Sequence, residues 1–131
     1  MNDTQNILLS EIKDWSAFNN CIWDISFPIT YEEVYLSIKK KLFKSKPSTP
    51  KDISTREDHI QRIAYLVVNG WKDSIAIDVG APKLGWNNSW IIIDGNHRLA
   101  AAFYKNDKYI AAEISGQVSE IKNRFSSYID V

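Results

Sequence analysis

The side chains best suited to chemistry lie together in one segment, Asp94-Gly95-Asn96-His97-Arg98. Glycine lets a phosphate approach the backbone without a Cβ in the way, while a guanidinium and an imidazole can donate hydrogen bonds to phosphate oxygens. A carboxylate can hold Mg²⁺, accept a proton or orient an arginine. We therefore predict a phosphate or nucleotide site at Gly95, Asn96, His97 and Arg98. Asp94, His97 and Arg98 are the candidate catalytic residues, and Asp94 is the candidate Mg²⁺ ligand.

The elements around this segment favour the binding hypothesis. The β-branched run at residues 90–93 predicts a covered strand, and the alanine-rich run from Asn96 to about Lys105 predicts a short helix. Free backbone N–H groups and the macrodipole at the start of a helix attract anions. The alternative is a plain turn, in which Asp94 or Asn96 caps the helix and Arg98 pairs with a surface carboxylate.

Periodicities along the rest of the chain predict an α+β fold. Capping-box spacings start two helices at Thr30 and Ser54, which end near Phe43 and at Gly70, and a loop with two prolines at residues 45–51 separates them. The other predicted elements are strands at residues 7–9, 21–25, 74–79 and 109–114 and a last helix at residues 117–128. We expect one domain over residues 1–131, with a small mixed β-sheet flanked by helices.

The segment at residues 94–98 also resembles the turn between a strand and a helix in the ParB/sulfiredoxin superfamily. Members carry Gly-Glu-Arg-Arg, Gly-Cys-His-Arg, Asp-Gly-His-His-Arg or Asp-Gly-Gln-His-Arg there, and the last two are the most similar. The order of elements is similar over about residues 52–115, whereas residues 1–51 diverge and residues 116–131 carry the C-terminal helix. The resemblance implies a ParB/sulfiredoxin-like fold that binds nucleotide phosphates of ATP, ADP or CTP. Mg²⁺-dependent nucleotide hydrolysis, a kinase reaction and nuclease activity are the activities it suggests.

Departures from the family pattern limit this transfer. Sulfiredoxins need a cysteine immediately before His-Arg, and Asn96 in that position excludes their sulfinic-acid chemistry. No second arginine motif is evident after Ala102, and we expect neither a DNA-reading helical domain nor centromere binding. The separate catalytic glutamate of free-serine kinases has three candidates here, Glu32, Glu33 and Glu57.

Composition excludes several classes of protein. The chain has 131 residues, of which 44% are hydrophobic, and its 16 Lys and Arg balance 16 Asp and Glu, so we expect a compact domain without a global field for polyanions. One cysteine, Cys21, allows no internal disulfide and no cysteine-based zinc cluster, which suits a reducing cytoplasm. No apolar stretch approaches the about 20 residues of a membrane helix, and no secretion signal is evident. We therefore expect a cytoplasmic protein without membrane contact.

Two residues outside the segment are candidates to support the site. Glu57 and His59 lie near the start of the second predicted helix and could approach the phosphate. Acidic residues in a first helical turn are also expected from the helix dipole alone, and a lone histidine is more often structural. Two histidines among scattered acids form no zinc spacing, so we expect neither zinc nor haem.

A lysine-rich stretch is the candidate nucleic-acid patch, formed by Lys39, Lys40, Lys41, Lys44 and Lys46. Such a cluster can contact nucleic-acid phosphates. The alternative is a solvated helix end, because cations favour a helix C-terminus and only Phe43 in this stretch could stack on bases. Nucleic acid is therefore the less favoured partner, and a DNA-binding accessory protein is the weaker alternative function.

Tryptophans suggest a function of a different class. Trp71 and Trp86 fall in predicted connections, and residues 15–28 depart from the family pattern, so either region could contact a protein partner. The alternative function is a catalytically inert interaction module, for instance an inhibitor, an immunity factor or a mobile-element accessory protein.

Overall fold

The computed structural model describes residues 4–23, 25–45 and 55–129. These parts of the chain contain four α-helices and a four-stranded sheet. The strands are β1 (Thr4–Leu8), β2 (Ile75–Asp78), β3 (Ile92–Asp94) and β4 (Tyr109–Ser115). The helices are α1 (Tyr31–Lys39), α2 (Arg56–Asn69), α3 (Asn96–Tyr104) and α4 (Val118–Arg124).

The sheet is mixed, with the spatial order β1-β4-β2-β3. Strand β4 pairs antiparallel with β1 and parallel with β2, so the chain crosses over between β2 and β4 through β3 and α3. Strand β3 lies at an edge and pairs antiparallel with β2, with an irregular register between Ala76 and Ile77. The α+β prediction with a small mixed sheet is therefore confirmed.

Helix α3 lies between two hydrophobic clusters. Its Leu99 and Ala102 are fully buried in the cluster that also contains the inward side chains of all four strands and of α4. Its Ala100 and Ala101 are fully buried in a second cluster, which contains apolar residues of α1 and α2. Small alanines on both faces allow α3 to approach its neighbours closely. This packing fixes the start of α3 relative to β2 and α2.

Side-chain caps define the starts of α1 and α2 much as the sequence predicts. Thr30 and Glu33 form a capping box at α1. At α2 the capping box uses Thr55 and Asp58, one residue after the predicted position, and Ser54 lies outside the described residues. Helix α2 ends at Asn69, and Gly70 follows it with a positive φ of 75°, as predicted.

Several predicted boundaries are wrong. Helix α1 ends at Lys39 rather than near Phe43, because Lys41 takes a left-handed φ of 58°. Strand β3 begins at Ile92, and α4 covers only Val118–Arg124. The described part of residues 21–25 is a loop rather than a strand, and residues 46–51 of the predicted loop lie outside the described residues.

Apolar residues recur at helical spacing from Tyr31 to Leu42, and the apolar face that they form is only partly buried. Val34 is fully buried and Ile38 half-buried, whereas Tyr31, Tyr35 and Leu42 each keep about half of their surface exposed, at 48%, 51% and 48%.

None of the described helices is long and apolar enough to cross a membrane.

Candidate functional site

Gly95 forms the turn between β3 and α3 and is the N-cap residue of α3. Its φ of +100° is in the left-handed region, and a Cβ at this position would lie 2.5 Å from Cγ2 of Ile75 and 3.1 Å from Nη2 of Arg98. Glycine is therefore required by conformation and by space. No side chain of the described residues caps α3, so the first backbone N–H groups of the helix remain available to a ligand.

The Arg98 guanidinium is bound to the protein itself. Nη1 donates to the carbonyl oxygens of Asp73 and Ser74, each at 2.9 Å, and Nη2 lies 3.3 Å from Oδ2 of Asp94. The side chain of Arg98 is 15% exposed, whereas that of Asp94 is 75% exposed. Arg98 thus holds the chain before β2 against the turn, and Asp94 is the solvent-facing member of the ion pair.

Asn96 is likewise held by its side chain. Its Oδ1 accepts a hydrogen bond from Nε1 of Trp90 at 2.9 Å, and its Nδ2 donates to the carbonyl oxygen of Ile92 at 3.2 Å. The Trp90 ring packs edge-on against Trp15, with ring centroids 5.0 Å apart. These contacts leave the backbone N–H of Asn96, rather than its amide side chain, as the group for an anion.

His97 pairs with His59 of α2. Nε2 of His97 and Nδ1 of His59 lie 2.8 Å apart, so the N–H of one ring donates a hydrogen bond to the unprotonated nitrogen of the other. The Trp23 ring stacks on both imidazoles, with centroid distances of 4.3 Å and interplanar angles of 9°. The structure therefore brings His59 to the predicted segment and adds Trp23, from the region that the sequence pattern assigned to a partner contact.

The environment keeps this histidine pair uncharged at neutral pH. Burial, followed by the charges of His59, Arg62 and Arg98, lowers the pKa of His97 to about 3. Burial also lowers the pKa of His59, although the Asp58 carboxylate opposes this shift. A neutral His97 can donate or accept a hydrogen bond near neutral pH, but it brings no positive charge to the site.

Arg62 is the residue that the sequence did not identify. Its Nη1 is buried and has no hydrogen-bond partner among the described residues, and burial and the charge of Arg98 lower its pKa. It lies one helical turn after His59 on α2, so both residues lie on the same side of that helix. This spacing is visible in the sequence, but the packing of α2 against α3 is not.

Other predicted residues lie elsewhere. Glu57 lines a cavity of about 190 Å³ between α1 and α2, with Glu33 and Leu36 among its neighbours, rather than the turn at Gly95. Glu33 accepts hydrogen bonds from Arg56, which lower the pKa of the Glu33 carboxyl.

The lysines and tryptophans singled out in the sequence differ in their surroundings. Lys44 forms an ion pair with Asp58 at 3.1 Å, Lys39, Lys40 and Lys41 are exposed, and Lys46 lies outside the described residues. Trp71 packs against both hydrophobic clusters, and Trp86 is 59% exposed. A protein contact through Trp86 therefore stays a prediction.

Asp94 has few neighbouring side chains that could share a metal ion with it. In the described parts of the chain, no three His, Cys, Asp or Glu side chains come together as a metal site. Mg²⁺ in nucleotide sites commonly uses one or two carboxylates and takes its other ligands from phosphates and water. Asp94 could therefore bind Mg²⁺ only together with the oxygens of a phosphate ligand.

Comparison of the chain with protein-family models, curated proteins and solved structures finds no match.

Proposed function

We propose that the protein binds the phosphate group of a nucleotide or another small phosphate ligand between the start of α3 and Arg62. The observation that carries this proposal is the buried Nη1 of Arg62, which has no protein partner among the described residues. A buried polar group without a partner costs about 1–3 kcal/mol, and more when it is charged. A phosphate oxygen would supply the missing acceptor.

The charges around the turn support an anionic ligand. The charge of Arg98 contributes to lowering the pKa of Arg62, so the two guanidinium groups lie close enough to interact. The carboxylate that pairs with this cluster, Asp94, is largely exposed, so solvent screens it strongly. Positive potential therefore remains at the buried side, next to the uncapped N–H groups of α3.

The ligand contacts follow from which donors are still available. Backbone N–H groups at residues 96–98 and Nη1 of Arg62 would bind the phosphate oxygens. Arg98 and Asn96 would act mainly by holding the turn in shape, since their side chains already bond to the protein. When a phosphate is bound, Asp94 could hold Mg²⁺ beside it, and this arrangement is the basis for proposing nucleotide hydrolysis or phosphate transfer as the reaction.

Calorimetric titration with ATP, ADP, CTP and inorganic phosphate, with and without Mg²⁺, tests the proposal. We expect Arg62→Gln to weaken binding of at least one of these ligands about tenfold or more, since a charge-assisted hydrogen bond contributes about 1.5–3 kcal/mol. The substitution removes a half-buried cation and should leave the fold intact, which circular dichroism verifies.

Arg124→Gln is the matched control. Arg124 is a surface arginine that pairs with Glu120 four residues earlier on α4, and its loss should leave affinity unchanged. Absence of binding by wild type for all four ligands, or equal affinity of wild type and Arg62→Gln, would reject the proposed site.

A further inference from the structure

The end of α1 and the turn after it carry three exposed lysines. Lys39, Lys40 and Lys41 are exposed, and no ion pair joins them to any other described residue. Lys44 differs, because Asp58 neutralises it. The exposed acid of α1, Glu32, lies in the first turn, so positive charge is concentrated at the other end of the helix.

An exposed aromatic ring lies within this basic surface. Tyr35 is 51% exposed, and the Lys39 ammonium lies 5.9 Å from the centroid of its ring. The two residues are four positions apart, which places them on the same side of α1. Tyr31, one turn earlier, differs because its ring contacts Phe18 at a centroid distance of 4.1 Å and its hydroxyl donates to the carbonyl of Phe103. Tyr35 is therefore an exposed ring beside the Lys39 ammonium. Lys40 and Lys41 follow at the end of the helix, and Lys40 also lines the cavity that contains Glu33 and Glu57.

We propose that this surface, formed by Tyr35, Lys39, Lys40 and Lys41, binds single-stranded nucleic acid. Lysines that contact phosphates and an aromatic ring on which a base can stack are the two components of sequence-independent single-strand binding. The exposed ring distinguishes this partner from an acidic polypeptide, which would need the charges alone. The surface shares no residue with the phosphate site at Gly95 and Arg62, so different variants test the two proposals.

Fluorescence anisotropy with a labelled oligothymidylate at a series of salt concentrations tests the proposal. Three phosphate contacts predict a slope of about −2 for the logarithm of the association constant against the logarithm of salt concentration. The triple variant Lys39→Gln, Lys40→Gln, Lys41→Gln should remove most of this slope. Tyr35→Ala should weaken binding about tenfold at every salt concentration and leave the slope unchanged, because the loss is of stacking.

The chain supplies a matched control at the other end of the sequence. Lys108 lies 5.5 Å from the ring centroid of Tyr109, which is 46% exposed, so Tyr109→Ala removes a similarly exposed tyrosine beside a lysine. We expect Tyr109→Ala and Arg62→Gln to leave oligothymidylate affinity unchanged.

Three results would overturn the single-strand proposal. These are no oligothymidylate binding by wild type at low salt, equal losses in Tyr35→Ala and Tyr109→Ala, and equal affinity for poly-glutamate and oligothymidylate. If Arg62→Gln lowers oligothymidylate affinity as much as the triple lysine variant does, the nucleic acid binds at the phosphate site instead.

Discussion

Arg98 and Asn96 form their hydrogen bonds with the protein's own backbone. Arg98 connects the turn to the carbonyls of Asp73 and Ser74, and Asn96 connects it to Ile92. Removal of Arg98 would leave carbonyls without their donors and lower stability by about 1–3 kcal/mol, whether or not a ligand binds. Arg62 is consequently the better residue with which to separate binding from folding.

The residue types at the turn were predictable, but their roles were not. The sequence places Gly95 at a turn, and its positive φ and contact with Ile75 agree with that prediction. The partners of Arg98 depend on residues about 25 positions away, which no local pattern indicates. Arg62 was missed because an arginine on an amphipathic helix is ordinarily a solvated residue.

Gly95→Ala should destabilise the protein more than another substitution at a positive-φ glycine. A left-handed conformation costs an alanine about 1–2 kcal/mol, and at Gly95 the added Cβ also meets Ile75, for which overpacking adds about 1–3 kcal/mol. Gly85 is the control, since its φ is +81° but a Cβ there meets no atom within 4 Å. Urea unfolding of Gly95→Ala and Gly85→Ala provides the comparison, and equal losses of unfolding free energy would show that the close approach to Ile75 has no energetic effect.

At the scale of elements, the site is assembled by the packing of α2 on α3. The strand, turn and helix around Gly95 follow from local sequence, because strand periodicity, glycine and an alanine-rich helix are all local signals. The position of α2 depends on apolar residues such as Ile63 and Ala64, which meet Ala100 and Ala101 in one cluster. Helical periodicity identifies a buried face but not its partner, so the sequence offers His59 as a candidate near the site without predicting its direct contact with His97.

The paired histidines between α2 and α3 should make stability depend on pH. The pKa of His97 is lowered to about 3 in the folded protein, whereas an unfolded histidine titrates near about 6.5. Below about pH 6.5 the unfolded chain binds more protons than the folded protein does. The free energy of unfolding therefore has its full value above this pH and falls progressively toward about pH 3.

Unfolding free energies of wild type and His97→Gln between about pH 7 and about pH 5 measure this dependence. We expect wild type to lose on the order of 1–2 kcal/mol over this interval, and the variant to lose distinctly less, because glutamine does not titrate. The interval lies above the range in which most carboxylates titrate. The same pH dependence in both proteins would contradict a buried, neutral His97.

For the whole molecule, a formal charge of zero conceals an uneven distribution. Arg62 and Arg98 lie at the buried side of the turn, while Lys39, Lys40 and Lys41 lie exposed on α1 and the turn after it. A balanced composition argues against a positive potential over the whole surface that would attract polyanions. It is consistent with two local anion sites. The sign and sum of the charges were available from the sequence, whereas their grouping depends on how the helices pack.

The most direct measurement of the central proposal is a titration of isotope-labelled protein with inorganic phosphate and ATP, followed by amide NMR. Binding between Arg62 and the start of α3 predicts the largest shifts at the amides of residues 95–98 and at Nε of Arg62, with little change at α4. Shifts concentrated on α1, or no saturable shift at the turn, would contradict the assignment of the phosphate site to Gly95 and Arg62.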